Sequence, residues 1–143
     1  MDLYDRMLNI NNRDIEKSIK DTISKVKKLI PDTERLCMVA SNLIYNDLLD
    51  IHIPSKIINT KELGLGYEHE FVLTKDRDIY YLIDIAYEQF LNKGTILNNA
   101  ILKNGYIRAN SNILKEYLNS IPNTYKIDNI DINDLYLPNI RSK

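Results

Sequence analysis

A thiol, an imidazole and a carboxylate can together form a nucleophile, a proton carrier and the acid that orients it. The chain has a single cysteine, Cys37, and two histidines, His52 and His69. His69 lies near the start, and Asp84 at the end, of the stretch YEHEFVLTKDRDIYYLID (Tyr67–Asp84). Read as a β-hairpin with an even loop, either KDRD or Asp76-Arg77 alone, the stretch sets Leu73 against Tyr80, Phe71 against Leu82 and His69 against Asp84. Directly opposed residues share a face with Cβ atoms about 4.5–5.5 Å apart. A carboxylate at that separation fixes an imidazole tautomer and stabilises the protonated ring. A loop of odd length would move the two side chains to opposite faces.

Cys37 falls within the first two turns of a predicted helix, where unpaired N–H groups and the positive dipole end favour an anion. Helix N-termini and neighbouring imidazolium groups are the environments that make a thiol acidic and its sulfur nucleophilic. The combined expectation is a Cys37–His69–Asp84 constellation drawn from one helix end and two adjacent strands. Each residue alone has a plainer reading. A lone cysteine in an apolar helix is usually a small buried hydrophobe, a histidine at a strand start is usually a satisfied polar group, and an aspartate ending a strand commonly serves a turn. Their joint placement carries the hypothesis.

The elements that would position these residues follow from hydrophobic period. Ile15, Ile19, Ile23, Val26 and Ile30 recur at helical spacing and predict an amphipathic helix from about Arg13 to Leu29, ended by Pro31. A second, central helix starts with Asp32 or Thr33 as cap and Glu34 in its first turn. It carries Leu36, Val39, Ala40, Leu43, Ile44 and Leu48, and stops at Ile53-Pro54. The period then drops to two, predicting strands at Ser55–Asn59, His69–Thr74 and Ile79–Asp84. Between the first two lies a loop with Gly64 and Gly66. Residues 91–121 suggest one or two short helices broken at Gly94 and Asn104-Gly105. The polar tail 122–143 either wraps the domain or is loose. Helices, an antiparallel sheet, then helices define a single α+β domain over residues 1–143, with its core at 32–90.

Composition bounds the function. The chain has 143 residues, 44% of them hydrophobic and 27% charged, with a formal net charge of −1. That suits one globular domain with a real core, and it gives no global pull toward nucleic acid or an anionic membrane. The basic run KSIKDTISKVKK reads as the solvated face of the first helix. No stretch approaches transmembrane length, and the N-terminus is too charged for a signal peptide. A lone cysteine fits a reducing compartment, so the expected location is cytoplasmic, or exported without a conventional signal. One cysteine and two histidines supply no CxxC, HxxxH or HExxH pair to seed a metal site, and thiol chemistry of this kind calls for no cofactor.

Residues from about Leu36 to Phe90 carry a family resemblance. LCMVASNLIYNDLLDIHIPSKII, HEFVL and YYLID together look like the core of the transglutaminase-like group within the papain-like cysteine enzymes. In that group a cysteine opens a helix with a small residue a turn later, here Cys37 and Ala40. An Ile-Pro pair leads into a strand, here Ile53-Pro54-Ser55-Lys56. A histidine begins one strand and an aspartate ends the next, here His69 and Asp84. The resemblance implies a papain-like fold and a cysteine nucleophile acting on amide bonds through a thioester. Glutamine deamidation or transamidation would be the leading activity. A small cysteine protease, including one that processes leader peptides, is the alternative, and a non-catalytic binding or regulatory domain on the same scaffold is another. The partner implied is a protein or peptide bearing a glutamine or a scissile peptide bond; oligomeric state stays open.

DIAYEQF adds a shorter similarity to bacterial papain-like toxin and effector domains that deamidate glutamine, in which Gln89 would help line the oxyanion site. Tyr67 and Tyr87 flank the site and could shape a substrate groove. Relatives in the transglutaminase-like group often carry tryptophans near the histidine and aspartate, whereas this chain has none, with Phe71 and Tyr81 in comparable places. A glycine usually precedes the Ile-Pro pair; His52 stands there and reads as a solvent-facing variant.

Overall fold

The computed structural model describes residues 3–30, 37–64, 68–76, 79–86, 100–101, 103–121 and 127–135, with side chains of the first helix from Ile15 onward. Helix α1 spans Leu3–Leu29 and α2 spans Cys37–Asp50. Strands β1 (Ser55–Asn59), β2 (Glu70–Asp76) and β3 (Ile79–Ile83) follow, then β4 (Tyr106–Ala109) and helix α3 (Ser111–Ser120). A 3-10 turn at Ile132–Asp134 completes the described elements. The four strands form an antiparallel sheet in the order β1-β2-β3-β4, an α+β architecture.

The sheet is covered on both faces. Ile15, Ile19, Ile23 and Val26 of α1 and Ala40, Ile44 and Leu48 of α2 pack against Val72, Tyr81, Ile83 and Tyr106. On the other face Leu114, Tyr117 and Leu118 of α3, with Ile121 and Ile132, pack against Ile58, Phe71, Leu73, Tyr80 and Leu82. A strand buried on both sides needs apolar residues at every position, which is why IYYLI shows no polar alternation. No helix among the described residues is long and apolar enough to cross a membrane.

Three sequence expectations change here. Helix α1 begins ten residues before Arg13, because a turn nucleated at the isoleucine stripe extends backwards through a stretch without proline or glycine at little cost. The region 91–121 is not all helical: Tyr106–Ala109 is a strand, pairing Ile83 with Tyr106 and Leu82 with Ile107. Four residues are too few to display a period, and only the preceding Asn104-Gly105 marked the turn. Gly105 has φ +80 there. The β2–β3 register also differs, and its consequence belongs to the site below.

The end of α2 is a compact stop. His52 N–H donates to the Leu49 carbonyl at 3.0 Å, and Ile53 N–H reaches back to Leu48 at 2.9 Å. This double bond is the Schellman pattern, which requires a left-handed residue just past the helix. That residue is His52, with φ 61, and its side chain is exposed as expected. Ile53 packs in the same cluster as Leu48, as the motif's hydrophobic contact requires. The predicted cap of α2 at Asp32 or Thr33, Glu34 in its first turn, and the break at Gly94 lie outside the described residues. Of the tail, residues 127–135 do wrap the domain: Asn119 exchanges two hydrogen bonds with the Ile127 backbone at 2.7 and 3.0 Å, and the Tyr80 hydroxyl meets Asn133 at 3.1 Å.

Candidate active site

Cys37 is the first residue of α2 as described, and it is half-buried. The described first turn of α2 carries no acidic residue, so no carboxylate there sets a second negative charge beside the sulfur. Ala40, one turn on, is buried against the sheet face, and its small side chain lets the helix lie close.

His69 immediately precedes β2. Its backbone is clasped by Thr60, whose hydroxyl accepts from His69 N–H at 2.8 Å and whose own N–H donates to the His69 carbonyl at 2.9 Å. Asp84 immediately follows β3, and its N–H donates to the Gly105 carbonyl at 2.8 Å, which continues the β3–β4 ladder by one residue.

The ladder pairs Leu73 with Leu82 and Asp76 with Ile79, a shift of two residues from the expected register. The hairpin closes one residue later than expected, its last described pair being Asp76 and Ile79. In this frame His69 and Asp84 are diagonal neighbours rather than directly opposed. A shift of two preserves the face, because side chains alternate with period two, and diagonal pairs stay within reach of long side chains. The imidazole closes the gap: His69 Nε2 lies 2.6 Å from Asp84 Oδ2. Both residues are dry, with relative exposures of 0% and 3%.

With Nε2 committed to the carboxylate, Nδ1 is the nitrogen left for the thiol. The Cys37 and His69 side chains are hydrogen-bonded, and the Glu70 backbone N–H also donates to the sulfur. Thiol, ring and carboxylate therefore stand in one line, reached from α2, the start of β2 and the end of β3.

The electrostatics follow from this line. Burial works against a charged ring, but the Asp84 charge and hydrogen bond, helped by the Cys37 sulfur, outweigh it and raise His69 from 6.5 to about 9. Burial likewise raises the Cys37 thiol; the hydrogen bonds from His69 and the Glu70 backbone, and then the imidazolium charge, overcome it, so the thiol lies below its ordinary value of 9.0. Nearby Asp84 opposes that effect only weakly as the smallest of these influences. The two groups titrate as a pair, and both shifts move that pair toward thiolate with imidazolium.

Of the residues singled out in the sequence, Cys37, His69 and Asp84 converge. Tyr67, Tyr87 and Gln89 lie outside the described residues. Two contributors were not foreseen. Thr60 looked like the first residue of a loop, with no local sign of its double clasp. Tyr117 sends its hydroxyl to Asp84 Oδ2 at 2.5 Å. Its signal was present in NILKEYLNSI: a tyrosine inside the apolar stripe Leu114, Tyr117, Leu118 and Ile121 is buried, and a buried phenol needs a partner. The identity of that partner was not visible.

Comparisons with protein-family models, with curated proteins and with solved structures find no match to this chain.

Proposed function

We propose that this protein is a cysteine-nucleophile enzyme acting on amide carbonyls, with glutamine side chains as its leading substrates. The observation that carries the reading is the buried His69 ring held between the Cys37 thiol and the Asp84 carboxylate. Structural cysteines and histidines have no need of this arrangement, and it matches the requirement for a nucleophile, a base and an orienting acid. The helix that begins at cysteine, the left-handed position before Ile53-Pro54, and the histidine and aspartate on neighbouring strands support a papain-like, transglutaminase-like core. The glycine common at that position in the group is explained by the backbone geometry that His52 adopts.

In this reading the Cys37 thiolate attacks the carboxamide carbon, and the C=O electrons move onto oxygen. The Cys37 backbone N–H is proposed as one donor for that oxyanion, and Gln89 as a second. The imidazolium then passes its Nδ1 proton to the leaving nitrogen, ammonia departs, and a thioester remains. Neutral His69 next takes a proton from water or from an amine as it attacks the thioester. Water gives glutamate and an amine gives a cross-linked amide. Cys37 leaves as thiolate either way.

The test is the rate of Cys37 alkylation by iodoacetamide as a function of pH. The expected profile is fast labelling with an apparent thiol pKa well below 8.5, slowed and moved upward in His69→Ala. Ammonia release from glutamine-rich proteins, measured beside peptide-bond cleavage with Cys37→Ala as control, identifies the reaction. Slow labelling with an ordinary thiol pKa would leave a non-catalytic domain.

A further inference from the structure

Asp84 Oδ2 has two donors, not one. His69 Nε2 approaches at 2.6 Å and the Tyr117 hydroxyl at 2.5 Å, while Oδ1 accepts from Ala86 N–H at 3.1 Å. Tyr117 comes from α3, on the far side of the sheet from α1 and α2, and is fully buried. Its ring meets Phe71 edge-on, with centroids 4.9 Å apart at 71°, so the hydroxyl is aimed by packing.

A hydrogen bond to a buried charge has two effects. It solvates the carboxylate, which at this depth would otherwise be costly. It also places the positive end of an O–H dipole close to the imidazolium, where like sign disfavours the ring's charge. Ala86 N–H and the strand backbone already restrain Asp84, so the second effect is not masked by loss of the first.

We propose that Tyr117 is a positioning residue for this site, holding the Asp84 carboxylate on His69 while drawing charge from the shared oxygen so that the imidazolium can release its proton to the leaving nitrogen. The proposal rests on the cysteine-enzyme reading for its purpose, but the electrostatic effect is measurable without turnover. Among the described residues, the ionisable groups in contact with the ring or its acid are Cys37 from α2, Asp84 from the end of β3 and Tyr117 from α3.

The chain's two histidines make the measurement direct, since exposed His52 and buried His69 give separable imidazole nitrogen signals. The ¹⁵N titration of His69 would be compared in the native protein, in Tyr117→Phe and in Phe71→Leu, which disturbs the ring's seat but keeps the hydroxyl. Tyr117→Phe is expected to move the His69 midpoint upward by roughly half a pH unit and to slow the acylation half-reaction, read as ammonia release. Phe71→Leu is expected to move the midpoint upward by less, as looser packing weakens the hydroxyl's contact with Asp84. If Tyr117→Phe does not fold, 3-fluorotyrosine introduced at position 117 supplies the test. Its more acidic hydroxyl donates more strongly, and the midpoint must move down.

A Tyr117→Phe midpoint that stays put or falls, or an unchanged or higher one with the fluorinated residue, overturns the proposal. The two readings fail separately. An ordinary thiol pKa at Cys37 with the expected His69 shifts defeats the enzyme and leaves the tyrosine's electrostatic effect. A reactive Cys37 with no His69 shift defeats only Tyr117.

Discussion

Asp84 uses its two oxygens differently. Oδ1 is tied to the local backbone through Ala86, so the carboxylate cannot swing away, and Oδ2 is left for the ring and the phenol. This division explains how a strand-end aspartate, ordinarily a turn residue, can hold a proton carrier in place. Asp84→Asn keeps the shape and removes the charge that does most to raise His69. The ring should then lose its proton more readily and the thiol should revert toward its ordinary value. By analogy with triads in which the orienting acid is amidated, turnover in the proposed reaction should fall by about 10³–10⁴-fold, and alkylation at pH 7 should slow in parallel.

The same groups set the pH profile. Thiolate and imidazolium coexist above the lowered Cys37 value and below about 9, where His69 loses its proton. For the proposed reaction, a kcat/KM profile should therefore be bell-shaped. Its acid limb belongs to protonation of the thiolate and its basic limb to loss of the imidazolium.

Helix α2 is positioned from both ends. Its first residue supplies the thiol, and the Schellman stop at its last turn fixes where the chain enters β1, so slack at either end would move the sulfur relative to His69. His52 occupies the left-handed position of that stop at some cost, since a Cβ crowds the following carbonyl there. His52→Gly removes the crowding but adds freedom to the unfolded chain. The net expected gain is about 0.5–1 kcal/mol, seen as a higher urea midpoint with an unchanged slope. Cys37 reactivity should be unaffected, because the exposed His52 lies beyond the opposite end of α2 from Cys37. Loss of stability on this substitution would mean that the histidine side chain makes a contact of its own.

Across the whole molecule, the site is where three layers meet. The α1–α2 layer delivers the thiol, the sheet delivers imidazole and carboxylate, and the α3 layer delivers the phenol. Gly105 joins these layers. Its carbonyl receives Asp84 N–H, it holds φ +80, and an added Cβ would lie 3.2 Å from Cγ2 of both Ile23 in α1 and Ile85. Gly105→Ala should therefore destabilise by about 2–4 kcal/mol, combining left-handed strain with overpacking. Denaturant unfolding gives the loss. Labelling of Cys37 at neutral pH should also slow, because Asp84 shifts with its backbone partner.

Much of this was legible along the chain. The isoleucine stripe of α1, the Pro31 and Ile53-Pro54 stops and the change to period two are local consequences of side-chain geometry, so they place the first two helices and three of the four strands. That His69 and Asp84 share a face was also local. It depends on parity, and parity survived a hairpin that closed one residue later than expected. The register itself was settled by packing: Leu73 opposite Leu82 lies in one core, and Val72 opposite Ile83 in the other. Strand β4, too short to show a period, exists because β3 offers it an edge. Tyr117 reaches Asp84 only because α3 folds back over the sheet, and no rule of spacing links residues so far apart in the chain. Neighbouring residues constrain one another through bonded geometry, whereas distant ones are joined only by the burial that closes the core.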